Sequence, residues 1–184
     1  MPFHPDVHHR RSIRMRSYDY AAGGAYFITV CARERAPVFG EIADGAMRLN
    51  GAGRVVDECW RDTAIVRPYV TLDEFVVMPD HFHAIAFVGA TRCVALPDAT
   101  CPGATHRVES GGATHRVAPT GPAAGSIGAI VGQFKSVTTK RINAMRGSPG
   151  MPVWQRNYWE RIIRDDAELD ALRAYIRDNP RNRR

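Results

Sequence analysis

At 184 residues with an ordinary apolar share, the chain suits one domain with room for an inserted loop, and it is long enough to bury a real core. No apolar run is long enough to cross a bilayer, and the polar start MPFHPDVHHRRSIRMR lacks the apolar centre of a secretory leader, so the expectation is a cytoplasmic protein with no membrane partner. The formal charge of +6 rests on arginine, with only Lys135 and Lys140 as exceptions; planar guanidinium forks suit phosphate, which favours a nucleic-acid partner over a merely solvated basic surface.

Residues 1–20 mix arginine, histidine and tyrosine without periodicity, and 1–17 read as a basic flexible arm, in which Arg14 and Arg16 are candidate DNA contacts. Ala25 to Ala32 (AYFITVCA) is β-branched and aromatic after Gly23-Gly24, the signature of a strand. Val38-Phe39 and Met47 to Leu49 are short apolar patches suited to small strands or a hairpin. From Asn50 or Gly51 to about Val66, the residues Val55, Val56, Cys59, Trp60, Ala64 and Ile65 recur at helical spacing, which predicts an amphipathic helix packed on a sheet.

Thr71 to Gly89, TLDEFVVMPDHFHAIAFVG, then reads as two strands joined tightly at Pro79-Asp80. His81 and His83 open the second of them. Residues two apart on a strand point the same way, so the pair could hold one divalent ion with coordination positions left open. Taken alone, such a pair is more often two ordinary residues than a metal site.

Residues 90–125 turn rich in Gly, Ala, Thr and Pro and carry an exact repeat, GATHRV at Gly103 to Val108 and again at Gly112 to Val117. Two such units have no face to bury, so a flexible loop is expected rather than a solenoid, and His106 and His115 are read as loop histidines. Cys31, Cys59, Cys93 and Cys101 show no metal-binding spacing, and Cys31 and Cys59 are expected to be reduced core thiols.

Ser126 is a plausible N-cap for a helix running to about Arg146, whose polar face carries Gln133, Lys135, Lys140 and Arg141; that face suits either a phosphate backbone or plain solvent. Val153 to Arg164, VWQRNYWERIIR, interleaves aromatics with Arg156, Arg161 and Arg164, and predicts a turn into a short edge strand at Glu160 to Arg164. Its aromatics suit nucleotide stacking or core packing equally. A last helix starts at Asp165 with Glu168 three residues on, turns Leu169, Leu172 and Ile176 inward, and is expected to end at Asn179-Pro180 before a basic tail, 181–184. Tyr175 and Asn179, four apart, share one side of its final turn.

The series AYFITVCA, VVMPDHFHAI, GQFKSVTTKRIN, VWQRNYWERIIRD and AYIRDNP, taken in that order, resembles the REP-associated tyrosine transposases over about residues 17–180, with the transposase domain itself placed at 18–180. These belong to the insertion-sequence-200-like single-tyrosine transposases and the wider nucleases with a His-hydrophobic-His signature. The resemblance implies an α+β single domain, a ferredoxin-like or RRM-like antiparallel β-sheet with helices on one face. It assigns His81, His83 and Asn179 to a Mg²⁺ or Mn²⁺ ion and Tyr175 to the nucleophile, with a 5′-phosphotyrosine intermediate. It further implies a substrate of single-stranded, hairpin-forming repeat DNA and a monomer or homodimer; the basic residues Arg14, Arg16, Lys135, Lys140, Arg141, Arg156, Arg161 and Arg164 are the candidate DNA surface. A free tyrosine, with a pKa of about 10, attacks a phosphodiester poorly without such help. Tyr158 is the chief rival nucleophile. Two other readings stay open: a catalytically inactive repeat-DNA-binding regulator on the same fold, and a metal-dependent hydrolase joining the histidines to Asp73, Glu74 or Asp80.

Overall fold

The computed structural model describes residues 23–89 and 125–182. The arm with Arg14 and Arg16, the GATHRV repeats with His106 and His115, and Cys93 and Cys101 lie outside the described residues.

Strand β1 (Gly24–Cys31) is the predicted AYFITVCA strand and lies inside a four-stranded antiparallel sheet. With β2 (Gly40–Ala43), β3 (Ala46–Leu49), β4 (Val70–Val77), β5 (His81–Val88) and β6 (Trp159–Ile163), the sheet order is β4-β5-β1-β6, and β2 and β3 pair as a separate hairpin. Antiparallel neighbours along the sequence need only a tight turn, and the Met78 N–H donates to the His81 carbonyl at 2.8 Å to close the one between β4 and β5. Crossovers then bring β1 between β5 and β6.

Because side chains alternate along a strand, β1 sends Tyr26, Ile28 and Val30 to one face and Phe27 and Thr29 to the other. The first face is the main core. It is covered by α1 (Gly51–Val66) and α2 (Ile127–Arg146), and Trp60, Phe82 and Phe134 pack there with ring centres 5.1 to 5.2 Å apart. Both helices start where a polar side chain satisfies orphan N–H groups: Asn50 accepts from Ala52 and Gly53, and Ser126 accepts from Ala129. Gly53 is required by proximity, since a β-carbon there would lie 2.1 Å from the Phe39 carbonyl oxygen. The inward stripe of α1 is Ala52, Val56, Cys59, Trp60 and Thr63, whereas Ile65, assigned to that stripe from spacing, is 79% exposed. It falls one position beyond the arc that the sheet covers.

The expectation of helices on one face is corrected by α3 (Asp166–Asn182), which lies on the other face. Leu169, Leu172 and Ile176 pack there against Phe27, Ile85 and Ile163, the opposite alternation from the main core. Asp165 caps the helix by accepting the Glu168 N–H at 2.7 Å, while Glu168 accepts the Arg164 N–H, so the chain leaves β6 and turns at once. A bulge in β4 between Leu72 and Phe75 supplies the second anchor. Asp73 accepts from the Arg173 guanidinium at 2.5 and 3.1 Å, and Glu74 lies 3.9 Å from Arg177. The helix also runs past its expected end, through Pro180 to Asn182, so the first two residues of the supposed tail are helical. A proline there forfeits a single hydrogen bond, which the last turn tolerates.

Candidate active site

His81 and His83 sit at the first and third positions of β5, on the face that carries α3, and both are buried. Their ring centres are 4.5 Å apart with planes at 75°. Each ring is oriented from behind. Asp80 places Oδ1 2.6 Å from Nδ1 of His81 while Arg35 lies 3.7 Å from its other oxygen, and Thr29, directly across β1 from His83, places Oγ1 2.8 Å from Nδ1 of His83. Partners of this kind fix the ring orientation and the tautomer of histidines that serve as ligands.

Burial, followed by the neighbouring His81 and Arg35, pushes the His83 pKa down to about 3, so its imidazole is neutral across the physiological range. In the tautomer that donates Nδ1–H to Thr29, Nε2 keeps a lone pair. The Tyr175 hydroxyl stands 3.4 Å from that Nε2, a long contact but an aimed one. Phe27 forms the floor: it stacks on His83 with centres 5.3 Å apart and meets Tyr175 edge-on at 6.0 Å. Tyr175 is 47% exposed, reachable by an incoming strand.

The structure thus brings His81, His83 and Tyr175 together. Asn179 follows one helical turn later on the same side of α3, half-buried and without a hydrogen bond to either histidine among the described residues. No three His, Cys, Asp or Glu side chains among the described residues are grouped to hold a metal ion. Asp80 is turned to Nδ1 of His81, and Asp73 and Glu74 face arginines of α3, so the carboxylates of the hydrolase reading do not complete the histidine pair. As a donor set, two imidazole nitrogens and one amide oxygen would suit a Mn²⁺ or Mg²⁺ ion.

Tyr158 packs with the main core and donates its hydroxyl to Glu160, on the sheet face away from the histidines. The candidate DNA contacts divide. Lys135 turns its ammonium onto the carbonyls of Gln155, Arg156 and Asn157, and Arg141 pairs with Glu58 at 2.6 Å, so both act as internal ties between elements. Gln133 is likewise taken up by Arg67. Arg161 pairs with Glu168, while Lys140, Arg156 and Arg164 stand exposed. Sequence reasoning missed Thr29, Asp80 as an orienting group, and Phe27. Only the strand register shows that Thr29 faces His83; Asp80 adjoins His81 in sequence and was the legible one.

Three comparisons bear on the chain. No family model matches it. An uncharacterized protein of Haemophilus influenzae is 36% identical over 183 residues, spanning 97% of this chain and 92% of that protein. Among solved structures, a REP-associated tyrosine transposase bound to a REP hairpin superposes with a TM-score of 0.56 at 18% identity, over 92% of this chain and 72% of that one, which gives this chain a transposase-like fold. A putative transposase from Deinococcus radiodurans aligns over 91% of this chain and 97% of that one at 14% identity, with a TM-score of 0.46 too low to bear an argument. No described helix is long and apolar enough to cross a membrane.

Proposed function

The chain belongs to the family of the Haemophilus influenzae protein, and on that premise we propose that it is a metal-dependent, single-tyrosine DNA endonuclease and strand transferase acting on single-stranded, hairpin-forming repeat DNA. The observation that carries this reading is the Tyr175 hydroxyl poised beside His83 of a buried, pre-oriented histidine pair on a transposase-like fold. The hairpin bound by the structural neighbour supports the substrate class.

His81, His83 and Asn179 would hold the ion. Held there, a Mg²⁺ or Mn²⁺ ion would supply Lewis-acid polarisation of the phosphate and make phosphorus more electrophilic. Asp80 and Thr29 keep the two rings in place, so little reorganisation is needed when substrate arrives. Phe27 packs against both the His83 and Tyr175 rings and holds them to one side of the sheet. Tyr175 attacks phosphorus through its phenolic oxygen; the bond to the 3′ oxygen breaks, that oxygen takes up a proton, and the phenol gives one up. The product is a 5′-phosphotyrosine with a free 3′-hydroxyl. The bond energy stays in the adduct, so a later 3′-hydroxyl can reverse the step without a nucleotide cofactor.

The test is incubation with labelled hairpin DNA in Mn²⁺ or Mg²⁺, followed by denaturing gel electrophoresis. The expected result is a metal-dependent covalent adduct that persists in Tyr158→Phe and falls by roughly a thousandfold or more in Tyr175→Phe. Binding without an adduct would mean a regulator instead, and cleavage surviving in both variants would mean attack by water.

A further inference from the structure

The tryptophans meet different fates. Trp60 is fully buried and Trp154 is buried with its indole N–H donated to Thr138, yet Trp159 keeps 43% of its surface in solvent. Its place in the sheet is specific. Trp159 lies opposite Thr29 across the β1–β6 ladder, and Thr29 lies opposite His83 across the β1–β5 ladder, so the indole stands level with His83, two strands or about 10 Å away on the same face. It meets the Phe27 ring edge-on at 6.0 Å, and Tyr175 meets that same ring at 6.0 Å, so the two exposed aromatics are separated by at most twice that distance.

Arg161 follows on the same face of β6, and with Arg164 it lines a hollow of about 570 Å³ that reaches Tyr175. Asp165 and Glu168 on the wall of this hollow balance the two arginines, so it is not a phosphate trap. What stands on the same face as Tyr175, across the Phe27 ring from it, is a half-exposed indole next to a hollow of mixed charge. A paired base hides its faces inside the duplex, whereas an unpaired base offers them to an aromatic ring.

We propose that Trp159 stacks on an unpaired nucleobase of the strand held at Tyr175, close to the scissile phosphate, and so helps to confine attack to single-stranded DNA. The ligand class rests on the nuclease reading above; the placement of the ring does not. A base stacked on an aromatic contributes about 1–3 kcal/mol, which corresponds to roughly 5- to 150-fold in affinity.

The experiment uses the full chain in EDTA, with a short oligothymidylate and a hairpin carrying an unpaired 5′ extension, read by fluorescence anisotropy and by tryptophan emission. Wild type should bind with quenched emission. Trp159→Phe should bind within a few-fold while losing most of the quenching, and Trp159→Ala should lose roughly 5- to 150-fold in affinity with its circular dichroism unchanged. Quenching that persists in Trp159→Phe overturns the proposal even if Trp159→Ala does not fold, and so does a folded Trp159→Ala that binds like wild type. Wild type failing to bind either oligonucleotide removes both the stack and the nuclease reading. Binding and quenching as described, with no adduct in the denaturing-gel assay, removes the nuclease reading and keeps the stack.

Discussion

The two faces of the sheet are built on different principles. Under α1 and α2, large rings interlock, and the buried hydroxyls of Thr63 and Thr138 are satisfied by backbone carbonyls one helical turn earlier. Under α3 the apolar cluster is small, Phe27, Ile85, Ile163 and Ile176, and it shares the face with two buried histidines. Stability is concentrated where nothing polar has to be exact. The candidate site lies on the thin side, where a few orienting contacts and ion pairs hold the geometry. Such a division lets the face with Tyr175 keep an opening without loosening the domain.

This contrast can be broken by substitution. Trp60→Ala should cost about 3–5 kcal/mol, read as a lower urea midpoint for the whole domain, because it empties the centre of the thick face. If Ile176→Ala on the thin face costs as much, the contrast is wrong. Arg173→Ala should cost about 2–3 kcal/mol by stranding the largely buried Asp73, and hydrogen exchange should show the loss in α3 before β1 or β5. Uniform loss across the sheet would mean that α3 is not a separately anchored unit.

A third measurement sharpens the electrostatic half. His83 resists protonation until about pH 3 when folded but takes a proton at its ordinary 6.5 when unfolded, so the unfolded state binds more protons between those values. Stability is therefore complete above pH 6.5 and is lost as pH falls toward 3, by at most about 1.4 kcal/mol per pH unit from this group. Urea titrations in EDTA should show a shallower acid slope for His83→Gln than for wild type, and equal slopes would contradict the burial argument.

Much of the frame was legible because its signals are local. Asn50 and Ser126 mark helix starts by side-chain chemistry, the run around Phe75 and Pro79-Asp80 marks a hairpin, and the two-residue spacing of His81 and His83 fixes their common face. The crossing of α3 to the other face was not legible, because it depends on which strands pair and on a bulge whose purpose appears only when Arg173 reaches Asp73. The partners of Lys135 and Arg141 were hidden for the same reason: on a face that suited either a phosphate backbone or solvent, each cation meets carbonyls or a carboxylate from a distant segment. Trp159 and Tyr158 are adjacent in sequence, yet Tyr158 packs with the main core while Trp159 lies on the face of Thr29 and His83, which only the strand register reveals.

The strand that starts with the histidines ends at Val88, and Gly89 then ties its N–H to the Tyr69 carbonyl. That is about 25 Å along β5 from His81. The stretch containing the GATHRV duplication therefore enters the sequence after the end of β5 that lies away from the histidine pair. A change in the length of that stretch leaves untouched the residues that set the β1–β5 register at His81 and His83, so sequence variation there is separated from the candidate site by the full length of a strand.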